Sequence, residues 1–321
     1  MKLQTGLNYL FSPVPSVCIF GPYNTASLEA KYGEPEYHTA AHAADVVQAV
    51  GFMLAEGLYD QISPLQAFAL LVAAAAHDVG HPGYNNAFLV STESEEALRW
   101  NEVSVNENGH LHIALEVLRR YKVLDSLAPD DVKSFKTMLR RFILGTDMEK
   151  HTQLVTEFVA MATATMGAAK GDAESCDDEV DNSSTPAGSS SAATMAGLAV
   201  AVRDWEDPIL ALGYVLHCAD ISNPARPFPV AKKWGDKIAE EFYKQGDKER
   251  ALGLRVLAFC DRTVASGPAA VAQNQSSFID FVCKPTIEAL STVLPVAADL
   301  MLYHLDKNRE EYIKLCPEAT K

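Results

Sequence analysis

The stretch PLQAFALLVAAAAHDVGHPG, residues 64–83, decides the fold class of this chain of 321 residues. Most of it is an alanine- and leucine-rich run without the period-two alternation of a strand, which predicts a buried helix. Ser63 and Pro64 are typical of the N-cap and first turn of a helix. The run ends in His77-Asp78 and is followed by glycine and proline, which end helices. We therefore expect a buried helix with His77 and Asp78 at its carboxyl end.

Helical periodicity extends through most of the chain. Apolar residues recur at three- and four-residue steps in Ala44–Leu58, Leu65–Ala76, Ile113–Tyr121, Val132–Leu144, Ile209–Ala219 and Val230–Lys244. Runs rich in valine, isoleucine and threonine with strand alternation are missing. The sequence predicts an all-α, compact multi-helix fold.

One segment, at about residues 170–191, differs from the rest in composition. It reads KGDAESCDDEVDNSSTPAGSSS and contains almost no large apolar residue. Such a segment cannot bury enough surface to order itself. We expect a single catalytic-size domain over residues 1–321 with a flexible surface insertion here. A domain linker is the alternative, but metal-type residues on both sides favour one domain.

Composition and charge exclude several classes of protein. The net charge of −15 argues against binding long nucleic acids, which requires an excess of Lys and Arg, although a small phosphate ester bound through cations remains compatible with it. No run of 18 apolar residues and no basic-then-apolar start is present, so we predict neither a membrane span nor a secretory signal. Six scattered cysteines without a C-x-x-C pair are typical of reduced thiols in a cytoplasmic protein.

Histidines and aspartates cluster in a pattern typical of metal sites. His38 and His42 are four residues apart and so share one helical face, His77-Asp78 ends the buried helix, and Asp220 ends a later apolar segment. Any one of these residues is more often a satisfied core or capping group than a ligand. Together, imidazoles and carboxylates suit zinc, and a carboxylate-and-water position suits magnesium or manganese. Two such ions sharing one aspartate form a clamp for phosphoryl transfer.

These motifs resemble the catalytic domain of class I 3′,5′-cyclic nucleotide phosphodiesterases. The resemblance lies in His38-x3-His42-Ala-x-Asp45-Val, His77-Asp78-Val-x-His81-Pro-Gly and Asp220 with Asn223-Pro224, and it continues in order through 106–111, 145–151, 234–250 and 273–279. It spans about residues 37–284. The long insertion is unusual for the family and suggests a kinetoplastid phosphodiesterase, of the C type.

The resemblance implies a two-metal hydrolase of cyclic nucleotides. Its zinc would be bound by His42, His77, Asp78 and Asp220, and Asp78 would bridge to a Mg²⁺ or Mn²⁺ ion otherwise held by waters. The groups contacting those waters would be His81, Glu107 and Thr146. A bridging hydroxide would attack phosphorus, and His38 would protonate the departing 3′-oxygen as the general acid.

The resemblance also implies a pocket for the base. Gln275 would hydrogen-bond the purine, and Phe278 and Ile238 would enclose the ring from opposite sides. Asn223 would add a base contact and Tyr37 would line the pocket. Met148 either lines the pocket or belongs to the core. For Gln275 and Phe278 the competing interpretation is an exposed amide beside a packing aromatic ring.

The sequence departs from the family pattern at four positions. Thr39 replaces an asparagine, Gly80 an acidic residue and Gly109 a histidine. Ala231 stands where cAMP-selective relatives often have a tyrosine. A small residue there would let the Gln275 amide rotate, and rotation exchanges its donor and acceptor groups. We therefore expect hydrolysis of both cAMP and cGMP. If only one of them is a substrate, we expect it to be cAMP.

Two alternatives stay open on the sequence. A related phosphohydrolase of the His-Asp superfamily would share the zinc ligands but not the late glutamine and phenylalanine or the first histidine. A cyclic-nucleotide-binding or scaffold domain with a lapsed site would have lost a ligand, and none is lost here. Few residues precede Tyr37, whereas family members usually carry regulatory regions there, so we expect a catalytic fragment of a longer protein.

Overall fold

The structure, a computed structural model, describes residues 22–174 and 201–316. These residues form helices joined by short connections, and no β-strand occurs in either range. The α-helices are α1 Pro22–Glu29, α2 Ala40–Met53, α3 Pro64–Ala76, α4 Asn86–Ser91, α5 Glu95–Arg99, α6 Val105–Arg120, α7 Pro129–Leu144, α8 His151–Glu174, α9 Pro208–Asp220, α10 Phe228–Ala251, α11 Pro268–Phe278, α12 Lys284–Leu290 and α13 Pro295–Lys314. The predicted all-α fold is confirmed.

Helix α3 forms the centre of the molecule. Its start is fixed by a capping box, in which Ser63 accepts from the backbone N–H of Gln66 and the Gln66 side chain accepts from the backbone N–H of Ser63. Every residue from Ala67 to Ala76 is buried. Helices α2, α7 and α9 pack around it. Because small alanines let these neighbours approach closely, the carboxyl end of α3 lies inside the molecule rather than at its surface.

Helix α9 resembles α3 in its capped start and buried apolar body, and it packs against α3. Asp207 caps its first turn, Pro208 occupies the first helical position, and residues 211–219 are buried. The helix ends at Asp220, after which a short 3₁₀ turn, Asn223–Ala225, redirects the chain. Two apolar helices thus end close together, each with an aspartate at or just after its last turn.

Some helix boundaries differ from the predicted ones. Helix α6 begins at Val105 rather than Ile113, because its first two turns are rich in Asn, Glu and His and carry no apolar periodicity. Helix α10 continues past Lys244 to Ala251 for the same reason.

Three sequence predictions can be compared with the structure only within the described residues. Residues 170–174 of the expected insertion are the end of α8, and the rest of the insertion lies outside the described residues. Four of the six cysteines, namely Cys218, Cys260, Cys283 and Cys316, are free and buried, as expected of reduced thiols. No helix in the described ranges combines the length and hydropathy needed to cross a membrane.

Candidate metal centre and active site

The ends of α3 and α9 and the first turn of α2 bring four metal-ligating side chains together. His42 lies in α2, His77 and Asp78 follow α3, and Asp220 ends α9. One ligand atom from each of these residues lies within 4.8 Å of all the others. His77 Nε2 is 3.0 Å from Asp78 Oδ2 and 3.1 Å from Asp220 Oδ1, and His42 Nε2 is 3.0 Å from Asp220 Oδ1. These are the four residues that the resemblance implies as zinc ligands.

The hydrogen bonds around this cluster favour a bound cation. Nδ1 of His77 donates to the carbonyl oxygen of Ala74 at 3.0 Å, so Nε2 of a neutral His77 directs its lone pair at the two carboxylates. Asp78 Oδ2 is buried and has no hydrogen-bond partner among the described residues. A buried lone pair facing carboxylate oxygens is unfavourable unless a proton or metal ion lies between them. The donor set therefore fits a divalent cation.

The electrostatics of the cluster lead to the same conclusion. Burial acts to lower the pKa of His77, but the charges of Asp78 and Asp220 outweigh it and raise that pKa well above the ordinary value. Burial acts to raise the pKa of Asp78 and of Asp220, yet the charge of His77 holds both below their usual range. The site thus favours positive charge among its oxygens.

His38 pairs with a glutamate that the sequence analysis missed. Nδ1 of His38 is hydrogen-bonded to Oε1 of Glu241, and Glu241 Oε2 accepts from the backbone N–H of Tyr37 at 2.7 Å. Burial acts to lower the pKa of His38, but the carboxylates of Asp78 and Glu241 outweigh it and the pKa lies above its ordinary value. The pairing occupies Nδ1 and leaves Nε2 as the ring nitrogen available for proton transfer.

The spacing of polar residues along α10 could have identified Glu241 from the sequence. Glu241, Gln245 and Glu249 recur every four residues, and all three are buried. Gln245 accepts from the backbone N–H of Asn85 at 2.9 Å and donates to Glu249 at 2.8 Å. Glutamates are seldom buried without a partner, so a polar stripe on the buried face of a helix indicates side chains that serve a site or a network.

Three imidazole rings stack beside the cluster. The ring centroids of His38 and His81 are 3.9 Å apart, and those of His81 and His110 are 5.7 Å apart. His81 Nδ1 accepts from the backbone N–H of Gly83 at 3.0 Å, and His110 Nδ1 donates to the carbonyl oxygen of Val79 at 2.8 Å. Burial lowers the pKa of His81 well below its ordinary value and that of His110 to about 4, so both rings are neutral at pH 7.

Glu107 and Thr146 lie on two further helices. Glu107 is in the first turn of α6, and its Oε2 accepts from Asn86 Nδ2 at 3.0 Å. Burial, helped by the charge of Asp147, raises the pKa of Glu107 to about 7. Thr146 follows the end of α7 and donates its hydroxyl hydrogen to the carbonyl oxygen of Ile143 at 2.8 Å. Neither belongs to the four-residue cluster, and their contact with metal-bound waters stays a prediction.

Three of the residues predicted to contact the base lie on α10 and α11. Gln275 and Phe278 are on α11, which packs against α10, where Ile238 is half-buried. A Cβ atom on Gly235 would lie 3.1 Å from Cγ and Cδ of Gln275 and 3.0 Å from the hydroxyl oxygen of Tyr312. The absence of a side chain at Gly235 therefore makes room for the Gln275 amide. Helix α10 carries this contact and also Glu241, so one helix positions both the Gln275 side chain and His38.

Tyr37 and Asn223 form the wall between the cluster and α10. The Tyr37 ring lies 4.6 Å from the His42 ring and 5.5 Å from that of Trp234, and its hydroxyl is hydrogen-bonded to Asn223 Oδ1. Asn223 Nδ2 donates to Asp45 Oδ2 at 2.7 Å. One N–H and one lone pair of the Asn223 amide stay available for the predicted base contact.

The remaining sequence predictions concern three single positions. Met148 follows Asp147 in a 3₁₀ turn and is 46% exposed, so it does not belong to the core. Thr39 accepts from the backbone N–H of Ala41 at 3.3 Å and caps α2. Gly80 has φ of +79°, and a Cβ there would lie 2.6 Å from Ile113 Cδ1, so the acidic residue of the family pattern does not fit this backbone.

Comparison with known proteins places the chain in a family. The model of the 3′5′-cyclic nucleotide phosphodiesterase family matches residues 37–304, which include the whole cluster, the His38–Glu241 pair and the residues predicted to contact the base. The chain belongs to the 3′5′-cyclic nucleotide phosphodiesterase family. The family resemblance of the motifs is thereby confirmed.

Two curated relatives are cAMP phosphodiesterases by name. The chain is 32% identical over 296 residues to 3′,5′-cyclic-AMP phosphodiesterase 4C of Rattus norvegicus, covering 91% of this chain and 49% of the relative. It is 31% identical over 296 residues to the probable 3′,5′-cyclic-AMP phosphodiesterase pde-4 of Caenorhabditis elegans, covering 91% of this chain and 39% of the relative. The chain thus spans about half the length of these relatives or less.

Solved structures share the fold. The phosphodiesterase domain of the Salpingoeca rosetta rhodopsin phosphodiesterase superposes with a TM-score of 0.81 at 24% identity, covering 99% of this chain and 88% of that one. LmjPDEB1, solved in complex with IBMX, superposes with a TM-score of 0.78 at 24% identity, covering 98% and 87%. The helical arrangement is therefore that of phosphodiesterase domains.

Proposed function

We propose that this chain hydrolyses 3′,5′-cyclic nucleotides to nucleoside 5′-monophosphates. The observation that carries the proposal is the His42, His77, Asp78 and Asp220 cluster beside the His38–Glu241 pair. Family membership and the cAMP phosphodiesterase names of the relatives support it. A phosphohydrolase acting on another ester shares the cluster without needing the proton donor, so His38 and Glu241 favour the cyclic substrate.

We assign two divalent cations to the site. Zinc suits the two imidazoles and two carboxylates, and Mg²⁺ or Mn²⁺ suits a position with few protein ligands and several waters. Asp78 would be shared, and His81, Glu107 and Thr146 would contact waters of the second ion. When bound, the cations supply an acidified water and neutralise charge on the phosphate.

His38 is assigned the proton for the departing 3′-oxygen. In the reaction an oxygen from water bonds to phosphorus, the bond from phosphorus to O3′ breaks, and O3′ takes a proton. Glu241 accepts from Nδ1 of His38, so an imidazolium at this position presents only its Nε2 hydrogen to the leaving oxygen. Because Glu241 also accepts from the Tyr37 backbone, the pair is fixed to the turn that precedes α2.

The base pocket is assigned to the groove between α10 and α11. Gln275 would pair with the purine edge, Phe278 and Ile238 would enclose the ring, and Tyr37, Asn223 and Met148 would line the approach. Ala231 is 1% exposed and brings no hydrogen-bonding group to Gln275. We therefore expect hydrolysis of cAMP and also of cGMP, because a rotated amide serves either base.

We also infer one catalytic domain, acting in the cytoplasm on a small-molecule substrate. Helix α9, which follows the insertion, packs against α2, α3 and α7, which precede it, so residues on both sides of it share one core. The net charge of −15 disfavours a nucleic-acid polymer as a partner.

Product analysis tests the proposal. The purified chain with Zn²⁺ and Mg²⁺ is incubated with cAMP or cGMP, and the products are separated. We expect 5′-AMP and 5′-GMP, with no product from His38→Ala or Asp220→Ala. Absence of product from metal-loaded wild type, or equal rates for His38→Ala and wild type, would contradict the proposal.

A further inference from the structure

Ser104 adopts a backbone conformation that serine rarely adopts. It has φ of 43° and ψ of 54°, the left-handed region, at the position that precedes α6. The side chain is buried. Glycine enters this region without strain, so a buried serine here requires compensating contacts.

Those contacts come from a distant segment of the chain. Ser104 Oγ donates to Asp147 Oδ2 at 2.6 Å, and Lys150 Nζ donates to Ser104 Oγ at 2.7 Å. Lys150 Nζ also lies 3.8 Å from Asp147 Oδ2. Asp147 is 2% exposed, so its charge depends on these partners and on the backbone N–H of Glu149, which donates to its Oδ1 at 3.0 Å. We call Ser104, Asp147 and Lys150 the brace.

The brace joins the two segments that carry Glu107 and Thr146. Ser104 precedes Glu107 by one helical turn, and Asp147 directly follows Thr146. Glu107 is otherwise oriented by Asn86, which donates to its carboxylate. The Thr146 hydroxyl donates its hydrogen to the carbonyl oxygen of Ile143. Its oxygen can therefore act only as an acceptor toward any further partner, such as a water. The separation between the two water-binding groups thus depends on the bond between Ser104 and Asp147.

We propose that Ser104, Asp147 and Lys150 are positioning residues for the second divalent cation. No hydrogen bond or ion pair within the described residues joins them to the cluster, and they act by fixing α6 relative to the end of α7. The inference rests on the proposed function, since it assumes that Glu107 and Thr146 bind the waters of that cation. Loosened supporting contacts typically weaken metal binding 10- to 100-fold.

Ser104→Gly separates positioning from folding. Glycine keeps the left-handed backbone and relieves its strain while removing the hydroxyl. Mn²⁺ binding to zinc-loaded protein is measured by the loss of the free Mn²⁺ EPR signal, with the melting temperature recorded beside it. We expect about tenfold weaker Mn²⁺ binding with little change in melting temperature. Glu102→Gly is the matched control, because Glu102 also has positive φ, of 60°, and is not among the hydrogen-bond or ion-pair partners of the Asp147 side chain.

Lys150 provides a second test by rescue. Lys150→Met is expected to weaken Mn²⁺ binding as Ser104→Gly does, and Lys150→Arg is expected to restore most of it, because arginine keeps a charged donor at this place. The proposal would be contradicted if Ser104→Gly and Lys150→Met both bound Mn²⁺ with wild-type affinity while Glu107→Gln lost Mn²⁺ binding.

The test also distinguishes failure of the brace from failure of the proposed function. If Glu107→Gln binds Mn²⁺ like wild type, the second cation is not bound where we place it and the inference falls with that assignment. Hydrolysis of cAMP by the wild type, measured separately, reports on the proposed function alone.

Discussion

The metal cluster and the base pocket differ in how their side chains are held in place. At the cluster, His77 is fixed by a hydrogen bond from its Nδ1 to Ala74 and by two carboxylates at its Nε2. In the proposed base pocket, the Gln275 amide has no hydrogen bond to any described residue, and its side chain lies close against Gly235. Hydrogen bonds and charge fix the side-chain positions in the cluster, whereas packing against neighbouring residues fixes the position of the Gln275 side chain.

In the proposed function, the bonded region carries the chemistry and the packed region carries the selectivity for the base. Cluster residues have few alternatives, because a buried imidazole or carboxylate needs defined partners. An amide held only by packing keeps the freedom to rotate. We therefore expect substitutions at the cluster to abolish activity, and substitutions around Gln275 to change affinity for one base relative to another.

Removal of Asp220 should have the largest effect. Asp220→Ala deletes the carboxylate that both His42 and His77 approach, so we expect loss of bound zinc and of detectable hydrolysis. Zinc per chain is measured by atomic absorption beside the rate of cAMP hydrolysis. Asp204→Ala, at an exposed aspartate, is the control and should keep both. If Asp220→Ala kept full zinc content and activity, the cluster residues would not be required for metal binding or hydrolysis, and the proposed difference between the two regions would be wrong.

Glu241 is the next most sensitive position. Glu241→Gln removes the charge that holds His38 but keeps the size of the side chain, and we expect kcat to fall by about 10²- to 10³-fold with little change in KM. The neighbouring Glu240, which pairs with Arg262 instead, gives the matched control Glu240→Gln. Steady-state kinetics of the two variants decide the matter, and equal kcat values would rule out a role of Glu241 in positioning the proton donor.

Gly235→Ala tests the packed region. The added methyl would lie 3.0–3.1 Å from Tyr312 and Gln275, closer than ordinary contact, so the amide must move. We expect KM for cAMP to rise by about tenfold while zinc content and kcat change little. Gly167→Ala, at a helical glycine with nothing within 4 Å, should leave KM unchanged. A fall in zinc content in Gly235→Ala would mean that the two regions are not independent.

Asp207 should have the smallest effect and should act on stability alone. It caps α9 at the end opposite to Asp220 and is bound by both terminal nitrogens of Arg141, at 2.9 and 2.6 Å. Burial alone would raise the pKa of Asp207, but Arg141 and the helix amides hold it below its usual range. We expect Asp207→Ala to lower the free energy of unfolding by about 1 kcal/mol without a change in KM.

The pH dependence of this stabilisation has a defined sign. Because the pKa of Asp207 is lower in the folded state, its contribution is fully present above about pH 4, the value of an unfolded aspartate. It is lost as the pH falls through the lower folded value. Urea titrations of wild type and Asp207→Ala should therefore differ at pH 7 and approach each other at a pH below the folded-state pKa of Asp207, and a constant difference would contradict the capping role.

The fold and the clustering of His42, His77, Asp78 and Asp220 were predictable because their signals are local. The apolar run of α3, its Ser63 cap and the His77-Asp78 end are contiguous, and His42 belongs to a helix with its own periodicity. The four ligands come from three segments, yet each segment alone carries a residue type that is costly to bury unpaired.

The pairings within the site were not predictable, because they join residues far apart in sequence. Glu241 reaches His38 across 203 positions, and Asp147 reaches Ser104 across 43. Single-sequence patterns contain no information on which buried acid meets which partner. The start of α6 was missed for a different reason: its first turns carry site residues such as Glu107 in place of an apolar face.

The most direct test of the proposed hydrolysis follows the oxygen that water contributes. Metal-loaded protein is given cAMP in H₂¹⁸O, and the product is analysed by mass spectrometry. We expect 5′-AMP with one ¹⁸O on phosphorus and none on the ribose, because water attacks phosphorus and O3′ departs with a proton from His38. No 5′-AMP, a 3′-monophosphate, or label on the ribose oxygen would contradict it.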